Sequence, residues 1–128
     1  MGSTLAEDRP STLPMADAGS GVRVVLVTVP DAEIGLVLAR EMVRVRLAAC
    51  GNIIPGLTSV YRWKGEVHQE PESLVIFKTT AALLGDLKTR VVNLHPYEVP
   101  EFLVLPVVDG HLPYLEWVRE EVEEPERS

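Results

Sequence analysis

Two extended runs, Cys50 to Trp63 and Glu66 to Thr79, flank the dipeptide Lys64-Gly65, and nothing else in the chain constrains the fold as strongly. A glycine in a two-residue connection between β-rich runs predicts a tight hairpin, because such turns demand positive φ. Strands of about a dozen residues are long beside the usual five or six. In a chain of 128 residues, one domain's worth, they must dominate whatever sheet forms. Pro55-Gly56 cannot continue a regular central ladder and predicts a bend or bulge in the first strand, and Pro71 marks an edge or bulge in the second. Long strands in a small domain leave edges to be covered or paired with another subunit, which predicts an oligomer.

The remaining elements assemble around this hairpin. Val22 to Val29 is β-branched and nearly continuous, the pattern of a strand in the middle of a sheet, and Pro30 ends it. Asp31 is placed to cap a helix whose apolar stripe is Ile34, Val37, Leu38, Met42 and Val45, with Arg40, Arg44 and Arg46 on the wet side. Thr80 is placed to cap a second helix, with Leu83, Leu84, Leu87, Val91 and Leu94 as its stripe and Pro96 as its stop. Phe102 to Val108 reads as a strand and Asp109-Gly110 as a turn. Pro113 suits the first turn of a terminal helix carrying Tyr114, Trp117 and Val118 on one side. The order βαββαβ plus a helix predicts an α+β, ferredoxin-like sandwich, with two helices on one face of a four-stranded antiparallel sheet.

The formal charge of -7 sits at the ends: residues 1–21 carry -2 and residues 116–128 carry -4, leaving -1 for the middle. Without a cluster of Lys and Arg there is no footprint for a phosphate backbone, so nucleic acid is not an expected partner. No apolar run is long enough to cross a bilayer, and the start has no signal-peptide pattern, so neither membrane nor secretion is expected. The single Cys50 cannot form an intrachain disulfide, and a reducing cytoplasm is the expected location. Residues 1–21, with Pro10, Pro14 and several Gly and Ser, read as a disordered leader. Residues 22–122 read as one domain, and 123–128 as an acidic tail.

The candidate site is His95-Pro96-Tyr97-Glu98-Val99-Pro100-Glu101, where two prolines stiffen a loop that holds an imidazole, a phenol and two carboxylates. Rigidity of that kind lowers the entropy of gathering ligand groups. Cys50, His95 and Glu98, with Glu66, His68, Glu70 and Glu101 as outer candidates, offer the thiolate, imidazole and carboxylate that transition metals take. Their spacing matches no single-chain structural zinc motif, so a metal needs ligands gathered by the fold or by neighbouring subunits. Tyr61, Trp63 and Lys78 are candidates to line a pocket for a small ligand. Glycine loops with dinucleotide or P-loop spacing are absent, and nothing points to an organic cofactor. Cys50 with His95, or Tyr97 with Glu98, can be read as catalytic pairs, but activation of a thiol needs a lowered pKa and an oriented base that the sequence does not display.

The segments Arg46-Leu47-Ala48-Ala49-Cys50-Gly51-Asn52-Ile53-Ile54-Pro55-Gly56, Ser59-Val60-Tyr61-Arg62-Trp63-Lys64-Gly65-Glu66, Phe77-Lys78-Thr79 and Leu94-His95-Pro96-Tyr97-Glu98-Val99-Pro100-Glu101 together resemble the CutA divalent-cation tolerance family, over about residues 22–119. The resemblance implies a homotrimer built by strand pairing, an architecture similar to PII-type signalling proteins, and a cytoplasmic, non-enzymatic role in the response to divalent metals. It implies copper or another divalent cation at Cys50, His95 and Glu98, with Tyr61, Trp63, Lys78, Tyr97 and Glu101 lining a cleft between subunits. A PII-like sensor of small molecules is the alternative it suggests. Gly51 stands where the family pattern implies a larger apolar residue, so a looser strand is expected there.

Overall fold

The computed structural model describes residues 19–122, in the order β1 (Val22–Val29), α1 (Ala32–Arg44), β2 (Cys50–Trp63), β3 (Glu66–Thr80), a 3-10 turn (Ala81–Leu83), α2 (Leu84–Leu94), β4 (Leu103–Pro106) and α3 (Leu112–Glu121). The four strands pair antiparallel in the order β2-β3-β1-β4, the ferredoxin-like arrangement with its added helix. Nearly all of the expected leader and all of the expected tail lie outside the described residues. Ser20 is described, and it is fastened to the sheet by its N–H and hydroxyl, which both donate to the carbonyl of Val107.

Strand alternation sorts the core. Val25, Val27 and Val29 of β1 and Val75 and Phe77 of β3 point to one face, where Leu38 and Met42 of α1 and Leu87 and Val91 of α2 bury them. Asp31 caps α1 as expected, accepting the Ile34 N–H at 2.9 Å. The stripe itself differs from expectation, since Gly35, Leu38, Ala39 and Met42 are buried while Val37 is exposed. At 3.6 residues per turn Val37 falls on the far side of α1, where it lines an outer groove together with Leu94 of α2, also exposed. Thr80 makes no side-chain cap. It closes β3, and the 3-10 turn intervenes before α2.

Helix α3 buries Leu115 and Val118 against Val22, Ala49 and Leu83, while Tyr114 and Trp117 stay exposed, so the expected grouping of both aromatics with Val118 does not form. The guanidinium of Arg46 donates to the carbonyls of Glu120 and Glu121, a cation on the negative end of the helix. Strand β4 is shorter than the expected 102–108. Its register with β1 runs over Arg23–Leu26, and beyond Pro106, which has no N–H, the contact continues only through Val107, whose N–H donates to the Val22 carbonyl at 3.2 Å. Gly51 does not loosen β2 either. Its pairing with Phe77 is regular, and a Cβ there would lie 2.8 Å from the Cβ of Ala39, so glycine is what lets α1 lie close on β2.

The hairpin turns where expected, with Lys64 at φ 52° and Gly65 at φ 84°. Pro55-Gly56 is a bulge: Ile54 faces Leu74 but Leu57 faces Glu72, so β2 carries one extra residue. Pro71 pairs regularly with Thr58. It lies beyond the end of β1, whose register stops at Ser73, which makes this part of β3 an edge. The face of the sheet away from α1 and α2 holds Val24, Leu26, Leu74 and Ile76, continued by exposed Leu103 and Leu105 on β4. Among the described residues α3 approaches it at the end near Val22 and Cys50, and the loop after α2 approaches it at the other end, near Thr28 and Glu72.

Candidate functional site

The loop that follows α2 is anchored through His95. Pro96 biases its predecessor toward extended backbone, and His95 ends the helix at φ −75°, ψ 139° while its N–H still donates to Val91 O. The ring turns inward and is only 7% exposed. Its Nδ1 accepts the Tyr97 N–H at 3.1 Å, which places the ring proton on Nε2, and Nε2–H donates to the carbonyl of Thr28 at 2.7 Å. The imidazole therefore ties the loop to the end of β1. Tyr97 packs on it at a centroid distance of 4.7 Å and extends its hydroxyl to donate to Glu72 Oε2 at 2.5 Å.

This arrangement sets the local electrostatics. Burial, and then the Glu72 carboxylate that accepts its proton, hold the Tyr97 phenol well above its ordinary range. Burial also pushes the Glu101 carboxyl up, Glu72 adds like-charge repulsion, and a hydrogen bond from Thr28 opposes both. Around these groups opens a cleft of about 510 Å³. Loop residues Tyr97, Glu98, Val99 and Glu101 form one wall. Ser59, Val60, Tyr61 and Trp63 of β2 form another, with Thr28 and Glu72 at its base. Tyr61 is itself braced by stacking on His68 across the hairpin, at 5.4 Å.

The bulge decides which residues can meet here. Before it, Cys50, Asn52 and Ile54 share a face with Lys78, Ile76 and Leu74. After it, the odd-numbered Ser59, Tyr61 and Trp63 occupy that face opposite Glu70, His68 and Glu66. One extra residue thus brings Tyr61 and Trp63 onto the Cys50 side of the sheet.

Four of the expected pocket residues, Tyr61, Trp63, Tyr97 and Glu101, are gathered at the cleft, together with Glu98 from the expected metal set. Lys78 is not among them. It donates to Asn52 Oδ1 and sits opposite Cys50, toward the other end of the sheet. Cys50 lies within 3.8 Å of the Tyr114 hydroxyl, and this contact, after burial, raises the Tyr114 phenol. His95 contacts Thr28, which pairs with Leu74, whereas Cys50 pairs with Lys78. Four residues of strand, about 13 Å, separate those rows. Within one chain Cys50 and His95 do not meet, and among the described residues no group of three His, Cys, Asp or Glu side chains is placed to hold a metal. Thr28, Ser59 and Glu72 escaped the sequence reading. Alternation along β1 and β3, and the parity change at Pro55-Gly56 for Ser59, are the signals that could have found them.

Residues 23–121, most of the chain, match the model of the CutA1 divalent ion tolerance protein family. The chain belongs to this family. It is 53% identical over 97 residues to the divalent-cation tolerance protein CutA of Thermus thermophilus, covering 76% of this chain and 94% of that one. It is 42% identical over 127 residues to the human protein CutA, covering 94% of this chain and 71% of the relative. The solved structure of the Cut A1 divalent cation tolerance protein from Thermus thermophilus superposes with a TM-score of 0.78 at 50% identity, over 80% of this chain and 99% of that one. CutA1 is a tolerance family and not a known enzyme family. No described helix of this member is long and apolar enough to cross a membrane.

Proposed function

We propose that this chain is a cytoplasmic homotrimer of divalent-metal tolerance, without catalysis, that binds copper or a similar divalent cation through Cys50, His95 and Glu98 drawn from neighbouring copies. The observation that carries this reading is the open sheet face. Half-buried Leu26 and Ile76 and exposed Leu103 and Leu105 form an apolar surface beside the unpaired outer edge of a fourteen-residue β2. An edge and a face of this kind favour association. Cys50 and the His95 loop stand toward opposite ends of that face, so a second copy is the simplest way to bring a thiolate to an imidazole. His95 is also oriented as a ligand should be: its Nε2–H is fixed on the Thr28 carbonyl, leaving the Nδ1 lone pair to exchange the Tyr97 N–H for a metal. Thiolate and imidazole select soft or borderline ions, and copper heads the divalent series.

Anaerobic titration with Cu(I) against a competing chelator, with the mass of the assembly measured in parallel, tests the reading. Stoichiometric binding by the wild type is expected, with affinity lost in Cys50→Ser and His95→Ala at unchanged mass. Equal, weak binding by all of them, Glu98→Ala included, would remove the metal assignment. A PII-like sensor of a small molecule is the second reading. It is favoured by the cleft, whose volume falls in the range of small-ligand sites.

A further inference from the structure

The cleft beside the 95–101 loop has a sharper chemical signature than its volume. Three carboxylates line it, from Glu72, Glu98 and Glu101, and no Lys or Arg is among its lining residues. Tyr61, Trp63 and Tyr97 contribute aromatic surface beside those charges. Only one oxygen of Glu72 is engaged, by the Tyr97 hydroxyl. The Trp63 ring already attracts a cation from its own chain, the Lys64 ammonium lying 5.6 Å from its centroid. An anion entering this space would meet three like charges. A neutral apolar molecule would strip water from the carboxylates and return nothing to them. A bare divalent ion would find no cage, since among the described residues no three His, Cys, Asp or Glu side chains converge closely enough to hold one. A molecule with an ammonium head and a hydrocarbon body satisfies both kinds of wall at once.

We propose that this cleft binds a small organic cation, a protonated amine whose N–H groups donate to Glu72 and Glu101 while its body lies against Tyr61 and Trp63. The proposal rests on the small-molecule reading of the cleft and gives it a ligand class. It places the amine on Glu72 and Glu101 and needs neither Cys50 nor the Nδ1 lone pair of His95; Glu98, which also lines the cleft, is the one residue it shares with the proposed metal set.

Three probes that share a body and differ in head charge test it on the full chain by calorimetry: phenethylamine, 2-phenylethanol and phenylacetate. The amine is expected to bind about tenfold or more tighter than the alcohol, with phenylacetate weakest, as for charge-assisted and cation–π contacts. Glu101→Gln and Glu72→Gln should each weaken the amine about tenfold and leave the alcohol unchanged, whereas Glu33→Gln on the exposed side of α1 should alter neither. Absence of amine binding, alcohol and amine binding alike, or preference for phenylacetate would each overturn the charge assignment. Unchanged amine affinity in both glutamate variants would overturn the location. Because the probe series is run on the wild type, a variant that fails to fold does not rescue the proposal. Repeating the amine titration on Cys50→Ser separates the two sites: retained amine binding with lost copper binding is expected, and joint loss would overturn their independence.

Discussion

The two faces of one sheet are finished in different ways. Toward α1 and α2, alternate residues of β1 and β3 are wholly sealed: Val25, Val27, Val29, Val75 and Phe77 have no exposed surface. One residue along the same strands, Val24, Leu26, Leu74 and Ile76 are only half-buried, and Leu103 and Leu105 beside them are exposed. Apolar character does not distinguish the faces, since both have it. What differs is whether this chain supplies the cover. A sealed face makes the subunit stable, while an apolar face left open is a surface that favours association, and the candidate site lies along its border.

Substitutions can break that comparison, beginning with the largest effect. Phe77→Ala on the sealed face should destabilise the subunit by about 3–5 kcal/mol, since it leaves a cavity no other residue fills. Denaturant unfolding measures it, and a loss below about 1 kcal/mol would mean that the face is less tightly packed than its burial indicates. Gly51→Val should cost about 1–3 kcal/mol by overpacking β2 against Ala39 and Phe77. The double variant with Ala39→Gly should recover part of that loss, and an absence of recovery would exclude the contact as its cause. Ile76→Asp on the open face is expected to change subunit stability less than either but to abolish self-association, as read by mass in solution. If it unfolds the chain outright, the open face is core as much as the sealed one and the comparison fails.

The smallest expected effect lies in pH dependence at the border of the two faces. Burial and the charge of Glu72 raise the Glu101 pKa in the folded chain above its ordinary value. Between the unfolded and folded values the native state holds the extra proton, so this group's contribution to stability falls as pH rises through that window and is restored below it. Glu101→Gln should flatten that part of the stability profile and slightly stabilise the chain at neutral pH. Parallel profiles for variant and wild type would show that Glu101 is not the group responsible.

Much of the fold was legible from local signals. Asp31 caps the helix it precedes, Lys64-Gly65 turns the hairpin, Pro55-Gly56 breaks the register, and the element order leads to the sheet observed. Each of these works through its own φ, its own hydrogen bond or a period of two, which neighbouring residues suffice to specify. Local pattern failed where several apolar residues competed for one stripe. Val37 and Leu94 match helical spacing, yet they face the outer groove between the helices. Trp117 matches it too and remains exposed beside Tyr114.

The site divided along the same line. The sequence by itself determined that a proline-stiffened loop presents His95, Tyr97, Glu98 and Glu101, because the prolines restrict that backbone wherever it sits. Only the tertiary structure decided what the loop faces. It set the inward turn of His95 onto the Thr28 carbonyl, the reach of Tyr97 to Glu72, and the distance that keeps Cys50 and Lys78 away from the cleft. Those outcomes depend on which strands are neighbours and on a one-residue change of register, and both are fixed by packing between segments far apart in the chain.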